Sequence, residues 1–302
     1  MTDSIRNKGN ADISTVTNRA GNRRGMAKPF SRLKFSDDYM FCKVMELNPD
    51  ICKQVLEMIL DVKIREIHFK GKQVVVDPLP DRRYIRLDVL LDDEAGTVYD
   101  LEMQTQNKQD LPLRSRSYQG TMDLSTMGPG MRFKDLTNSF IIFICTFDPF
   151  KEGLCKYTFR EQCIEKSGLE LGDGTSKVFV NAKSKQMDIQ DELKGFLDYV
   201  CGKAPSTELT EKIESAVISI KGNPEWETEY ISMKNLLAEE HEEALKEGIE
   251  IGAEKGREEA KCEVVDSLIS EMGMSVEQAC HVSKIPVEQY YAYKESQQDQ
   301  AF

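Results

Sequence analysis

Two segments that flank an acidic turn constrain the fold of this chain more than any other feature. Residues 84–91 and residues 97–104 each alternate apolar and polar side chains, and successive side chains of a strand point to opposite faces of a sheet. The segment between them, residues 92–96, reads Asp-Asp-Glu-Ala-Gly and is typical of a turn. The pattern therefore predicts a β-hairpin with one apolar face turned to a core. The opposite face carries five polar side chains: Arg86, Asp88, Asp100, Glu102 and Gln104.

The register of this hairpin determines which polar side chains meet. If the apolar faces of the two strands coincide, the numbers of any two opposed residues sum to an even number. A sum of 190 leaves a short loop between the strands and places Asp88 opposite Glu102. Directly opposed Cβ atoms lie ~5 Å apart, where two carboxylates repel unless a cation lies between them. Paired carboxylates suit Mg²⁺, Mn²⁺ or Ca²⁺. The pattern therefore indicates either a divalent metal site or an ordinary, solvated acidic face.

Composition excludes several classes of protein. The chain has 302 residues, of which 40% are hydrophobic and 30% charged, and this rules out a collagenous, a wholly disordered or a polytopic membrane protein. The polar N-terminus predicts no secretory signal, and the eight cysteines form no CxxC pair. We therefore expect reduced thiols and a cytoplasmic protein. The net charge of −12 argues against binding nucleic acid by bulk charge, although a local basic site is compatible with it.

The charge is distributed unevenly and divides the chain into three parts. Residues 1–34 carry eight Lys/Arg and two Asp, which predicts a disordered basic tail, with a basic arm that contacts nucleic acid as the alternative. Residues 35–223 alternate helical and strand patterns and predict one domain. Residues 224–302 carry seven Lys/Arg and nineteen Asp/Glu and predict an acidic tail, with one long helix and a terminal helix pair. Because this tail offers few side chains that read base edges, we expect packing or homodimer formation from it rather than DNA reading.

Three glycines stand out within the long helix. Gly248, Gly252 and Gly256 recur every four residues and therefore share one helix face. Each glycine costs ~1 kcal/mol of helix stability relative to alanine. The pattern indicates either close packing against another helix or a weakly stable, solvated linker helix.

Several segments, taken in order, resemble one known family. Residues 86–90 (Arg-Leu-Asp-Val-Leu) and 100–104 (Asp-Leu-Glu-Met-Gln) resemble the D…ExQ signature of the PD-(D/E)XK nuclease superfamily. Residues 113–119, Leu-Arg-Ser-Arg-Ser-Tyr-Gln, resemble the R-x-R-Y-Y-Q helix that follows it. Residues 37–45 and 142–150 resemble the opening helix and the next strand. The ordered set is similar to the Rpn family of recombination-promoting nucleases and transposases, and the resemblance covers about residues 33–260.

The resemblance implies both a fold and an activity. The fold is α/β, with a mixed sheet in a restriction-endonuclease-like αβββαβ core and a C-terminal helical tail. The activity is that of a metal-dependent DNA endonuclease, linked to recombination or mobile elements. Asp88 and Glu102 would bind the divalent ion (Mg, Mn or Ca), with the main-chain carbonyl of Met103 as a third ligand. Gln104 stands where the superfamily usually has a lysine, and glutamine forms hydrogen bonds but carries no charge.

The resemblance also implies an additional acid and contacts to the DNA. The opening helix of this superfamily often contributes an acid, for which Asp38 is the best match and Glu46 a rival. On the helix after the hairpin, Arg114, Arg116 and Tyr118 fan over ~200°, so they cannot all face one ligand. Of these, Arg116 matches the family position best and is expected to hold a phosphate or pair with an active-site acid. The full set of expected substrate contacts is Arg86, Arg114, Arg116 and Tyr118.

Two alternatives to an active nuclease stay open. The missing lysine and the acidic charge favour a catalytically inactive nuclease fold that acts as a binding or assembly module through its helical tail. An interaction or regulatory protein whose working part is that tail is the other alternative. The expected partners are DNA and a second copy of the chain, which would bind through the C-terminal helices. No membrane association is expected.

Overall fold

The structure is a computed structural model that describes most of the chain. It covers residues 28–70, 75–76, 85–128, 130–186 and 188–299, with the backbone alone at residues 75–76, 85–86 and 298–299. Two compact units divide the chain, the first ending at Tyr230 and the second beginning at Ile231. The first unit holds the sheet and the residues of the predicted site.

The helices of the first unit are α1 (Asp38–Leu47), α2 (Pro49–Leu60), α3 (Leu111–Thr126), α4 (Asp191–Val200) and α5 (Glu208–Lys221). The long helix α6 (Pro224–Met272) begins in this unit, and the second unit also contains α7 (Val276–Ser283) and α8 (Val287–Asp299). Pro49 occupies the first turn of α2, where its missing N–H costs nothing, and separates α1 from α2. The Ser275 hydroxyl accepts a hydrogen bond from the backbone N–H of Gln278 and the Gln278 side chain accepts one from the N–H of Ser275, so the two residues form a capping box at the start of α7.

Eight strands form the β structure of the described residues: β1 (Ile67–Phe69), β2 (Val75–Val76), β3 (Ile85–Arg86), β4 (Val89–Asp93), β5 (Val98–Gln104), β6 (Ser139–Cys145), β7 (Lys156–Phe159) and β8 (Thr175–Asn181). Six of them make one mixed sheet in the order β1-β4-β5-β6-β8-β7, and β2 pairs with β3 separately. Strand β5 runs antiparallel to β4 and parallel to β6, and β6 runs parallel to β8. This mixed α/β architecture is the predicted fold class.

The hairpin has the predicted register. Val89 pairs with Leu101 and Leu90 with Asp100, so the numbers of opposed residues sum to 190. Asp93 forms the predicted turn, because its side chain accepts hydrogen bonds from the backbone N–H groups of Ala95 and Thr97.

Strand β5 lies inside the sheet, and both of its faces are buried. On the face that carries its even-numbered residues, Leu111, Tyr118 and Met122 of α3 join one apolar cluster with sheet residues that include Phe143 and Phe179. On the other face, Leu101 is fully buried and Tyr99 and Met103 almost so. The helical layer includes α1, which contacts β4 and packs against α2 and α5. A polar side chain of β5 is therefore enclosed whichever face it occupies.

The second unit has a small core of its own. Residues near the end of α6 pack against α7 and α8 through Cys262, Val265, Ala279, Cys280, Ile285 and Tyr290. The Tyr290 hydroxyl donates a hydrogen bond to Asp266 at 2.6 Å, and Lys294 forms an ion pair with the same carboxylate. These contacts agree with the packing role expected for the terminal helix pair.

Two expectations about the chain's organisation need correction, and one helix was missed. The predicted disordered tail reached residue 34, but Phe30 is buried against Tyr39 and Tyr230, and Leu33 is buried as well. The rest of that predicted tail, residues 1–27, lies outside the described residues. The first unit ends at Tyr230 rather than at residue 223, because the first turns of α6 pack on α1. Helix α5 was not predicted.

Within the part of the chain that the structure describes, no helix combines the length and the apolar character needed to cross a membrane.

Candidate active site

The two predicted carboxylates lie side by side at the end of the hairpin. The backbone N–H of Asp88 donates a hydrogen bond to Glu102 Oε1 at 2.9 Å. The backbone N–H of Met103 lies 3.4 Å from Asp88 Oδ2, which places the Met103 peptide beside the same carboxylate. The structure therefore brings Asp88, Glu102 and Met103 together as the strand register predicts.

The acidic face of β5 is buried, so the alternative of a solvated acidic face is wrong. Glu102 is 1% exposed and Asp100 is fully buried. Burial raises the pKa of Glu102 well above its usual value, and the neighbouring charges of Asp100 and Asp88 raise it further. Burial and the Asp88 charge likewise raise the pKa of Asp100. An edge strand would have solvated these groups, but β5 is covered by α3 on this face.

Asp100 belongs to this cluster, although sequence reasoning did not count it among the site residues. Asp100 shares a face of β5 with Glu102. The alternation of side chains along the strand could have identified it as a site residue. Neither of its carboxylate oxygens has a hydrogen-bond partner among the described residues. A buried carboxyl without a partner is costly, so it stays protonated or requires a nearby positive charge.

Gln104 connects the acids to the helix that follows. Its Nε2 donates to Glu102 Oε2 at 3.3 Å, and its Oε1 accepts from Arg114 Nη1 at 2.8 Å. Arg114 Nη2 lies 3.5 Å from Glu102 Oε2 and donates to the Tyr118 hydroxyl at 2.5 Å. Burial raises the pKa of Tyr118 to about 12, and the Glu102 charge acts in the same direction. The group Glu102, Gln104, Arg114 and Tyr118 is thus one hydrogen-bonded network.

The structure corrects the choice between the two arginines. Arg114, in the first turns of α3, forms the ion pair with the acid, whereas Arg116 is exposed. Residues two apart on a helix point in directions ~200° apart, so a helix that turns Arg114 toward Glu102 turns Arg116 away from it. The preference for Arg116 as the partner of an active-site acid was therefore wrong. A phosphate contact by Arg116 stays a prediction. The side chain of Arg86 lies outside the described part of the chain.

Neither of the two candidate acids of the opening helix joins the network. Asp38 is exposed at the first position of α1, and Glu46 lies 3.7 Å from Lys43, which is also bound to Glu229. The charged side chains that shift the pKa of Glu102 are Asp100, Asp88 and Arg114. Helix α1 packs toward α5 and the start of α6, which explains why its acids lie elsewhere. Of the acids considered, Asp100 rather than Asp38 or Glu46 lies close enough to Glu102 for its charge to raise the pKa of Glu102.

The donor set fits a hard divalent cation. Carboxylate and carbonyl oxygens are the ligands that Mg²⁺, Mn²⁺ and Ca²⁺ prefer. Among the described residues, no group of three or more His, Cys, Asp or Glu side chains is arranged to hold a metal ion. Mg²⁺ often uses only one or two carboxylates and completes its shell with water and phosphate. Asp88 and Glu102 would supply such a pair, and the unpartnered oxygens of buried Asp100 favour a positive charge nearby.

The Asp100→Asn variant is expected to be more stable than the wild type at pH 8 by about 1–3 kcal/mol. The folded-state pKa of Asp100 is raised, so folding takes up a proton. This contribution to stability is full below the unfolded pKa of ~3.9 and is lost as pH rises toward the folded pKa. The difference between the variants should therefore shrink toward pH 4. Urea unfolding in EDTA at both pH values measures it.

The matched control is Glu152→Gln, because Glu152 is an exposed carboxylate. It is expected to show the wild-type dependence on pH. If Asp100→Asn follows the same pH dependence as this control, Asp100 is paired or solvated in the folded protein.

Comparison with known proteins agrees with this geometry. No curated protein and no solved structure matches the chain with significant similarity. One family model, described as PD-(D/E)XK nuclease family transposase, matches residues 36–195, which is more than half of the chain and includes every residue of the network. With the mixed sheet and the paired acids at the end of the hairpin, this match shows that the chain belongs to the PD-(D/E)XK nuclease family transposases.

Proposed function

We propose that this protein is a metal-dependent DNA endonuclease that hydrolyses phosphodiester bonds and acts in recombination or in the movement of mobile elements. The observation that carries the proposal is the contact of Asp88 with Glu102 beside a buried, unpartnered Asp100. Buried acids beside one another oppose folding, so a role of the Asp88 and Glu102 pair in binding a cation explains their presence better than a structural role does. The family supports the nuclease class of the activity.

Each residue of the site has its own role in the proposed reaction. Asp88 and Glu102 hold the divalent ion, and the carbonyl of Met103 is the proposed third ligand. The bound ion would polarise the phosphodiester and activate a water for attack. Gln104 is held between Glu102 and Arg114, and its second amide hydrogen orients that water. Arg116, exposed on α3, contacts the DNA backbone as a charged donor.

The proposed location of this activity is the cytoplasm. Burial raises the pKa of five thiols of the described residues and keeps them neutral: Cys52, Cys145, Cys201, Cys262 and Cys280. Thiols that are kept reduced are typical of a cytoplasmic protein.

Nicking of supercoiled plasmid tests the proposed function. The purified full-length chain is incubated with plasmid in Mg²⁺, Mn²⁺, Ca²⁺ or EDTA. We expect nicking in Mg²⁺ or Mn²⁺ and none in EDTA, and the double variant Asp88→Ala/Glu102→Ala is expected to lose it. Absence of nicking in every metal would overturn the endonuclease. Nicking that survives in the double variant would place the chemistry at another site or in a contaminant.

An assembly role for the second unit is the other candidate function. Apolar residues of α6 stand exposed in a helix that is otherwise charged, among them Leu245 at 56% and Ile249 at 62%. Apart from the adjacent backbone of α6 itself, a Cβ atom added at Gly248, Gly252 or Gly256 would meet no atom of the described residues within 4 Å. A helix with three glycines and exposed apolar side chains gains stability from a partner. We therefore propose that α6 pairs with α6 of a second copy, with the small residues at the contact.

Light scattering of the full-length protein tests this pairing. We expect twice the mass of one chain for the wild type and one chain mass for Gly252→Glu, because a charged side chain fills the space at the contact. The control is Glu250→Gln, which leaves the small-residue face unchanged and should stay dimeric. A monomeric wild type, or a dimeric Gly252→Glu variant, would show that α6 is a solvated linker helix.

A further inference from the structure

We propose that Arg114 supplies the positive charge of the catalytic site and acts, through Gln104 and Glu102, as a positioning residue. The inference rests on the proposed nuclease function. A phosphodiester gains negative charge in the transition state of hydrolysis, and a preorganised cation beside it lowers the barrier. Gln104, which lies next to the acids, is neutral and cannot provide that charge.

The contacts of Arg114 place its charge at the acids. One guanidinium nitrogen lies 3.5 Å from Glu102 Oε2 and another lies 2.8 Å from Gln104 Oε1. Because the arginine donates to Gln104 Oε1, the amide nitrogen of Gln104 is turned toward Glu102, at 3.3 Å. The orientation of the Gln104 amide, and hence of the water that it is proposed to orient, therefore depends on Arg114.

The guanidinium is held in place before any substrate binds. Its carbon lies 5.2 Å from the centre of the Tyr118 ring and 5.8 Å from that of Phe143, and the Tyr118 hydroxyl accepts one of its N–H groups. The side chain is nevertheless 27% exposed, so part of the charged group still faces solvent. A guanidinium that is already fixed in place and partly exposed can stabilise negative charge that develops nearby, and the site needs little reorganisation to do so.

A positioning role and a merely structural role predict different effects on metal binding. A cation 3.5 Å from a metal-binding carboxylate repels a divalent ion. Its removal should therefore strengthen metal binding while it slows cleavage. Loss of a structural support should weaken both.

The experiment compares wild type, Arg114→Met, and Arg114→Met combined with Gln104→Lys. Plasmid nicking in Mg²⁺ and Mn²⁺ binding by calorimetry are measured on the full-length protein. For Arg114→Met we expect nicking to slow ~10²-fold or more and Mn²⁺ affinity to rise about 10-fold. The Gln104→Lys substitution returns a positive charge to the network, so the double variant should regain at least ~10-fold in nicking and lose the gain in affinity.

The control is Arg160→Met, because Arg160 is a half-exposed arginine that forms its ion pair with Glu170. It should match the wild type in both measurements. Wild-type nicking by Arg114→Met would overturn the inference, as would weaker Mn²⁺ binding by that variant without rescue by Gln104→Lys. A wild type that neither nicks DNA nor binds Mn²⁺ would instead overturn the proposed function, and the inference with it.

Discussion

The Asp88→Asn and Glu102→Gln variants are each expected to nick plasmid at least ~10²-fold more slowly than the wild type in Mg²⁺. Changes in the residues that only support a metal ligand already cost ~10–100-fold, and these two side chains are the proposed ligands themselves. Asparagine and glutamine keep the size of the carboxylate but remove its charge. Initial rates of nicking, measured across a range of Mg²⁺ concentrations, give the effect.

Stability should change in the opposite direction. Burial and the charges of Asp100 and Asp88 raise the pKa of Glu102, so a neutral amide at position 102 removes an unfavourable charge from the folded state. Glu102→Gln is therefore expected to unfold at a temperature no lower than that of the wild type in EDTA. The control is Glu161→Gln, an exposed carboxylate that should leave both rate and stability unchanged. A Glu102→Gln variant that is inactive only because it unfolds would contradict the metal-binding role.

The Phe143→Ala variant is expected to lose about 3–5 kcal/mol of unfolding free energy, which is the range for truncation of a buried phenylalanine. Phe143 is fully buried on β6, paired with Glu102 across the strands. Its ring stacks on Phe179 at 5.2 Å between centroids and contacts the Tyr118 ring at 5.9 Å. The truncation therefore leaves a cavity between the sheet and α3.

Urea unfolding of Phe143→Ala and of Phe133→Ala measures this effect against a matched control. Phe133 is 81% exposed, so its truncation should change stability by no more than ~0.5 kcal/mol. Because the Arg114 guanidinium lies over the Phe143 ring, we also expect the Phe143 variant to nick more slowly at temperatures where it is folded. Similar losses of stability in the two variants would contradict the central place of Phe143 in the core.

The hairpin and its register could be predicted because both depend on local information. Alternation with a period of two and a short turn leave few ways to align the apolar faces, and one of them opposes Asp88 and Glu102. The burial of Glu102 could not be predicted in this way. Alternation describes one strand by itself, whereas burial depends on β6 and α3, which come later in the chain.

The choice between Arg114 and Arg116 depended on the rotation of α3 about its axis. That rotation is set by the path of residues 105–110 and by the packing of Tyr118 and Met122 on the sheet, neither of which the arginine spacing reveals. Helix α5, in contrast, had a readable signal. Leu209, Ile213, Val217 and Ile220 recur at helical spacing and are buried.

The enclosed position of β5 has an evolutionary consequence. Each buried acid on this strand lowers stability, so replacement by a neutral or apolar residue is a stabilising step wherever activity is no longer under selection. Descendants of such a chain that lose their catalytic role should therefore change at positions 100 and 102 early and keep the surrounding core. Both acids are present in this chain, and the proposed metal site would account for their cost to stability.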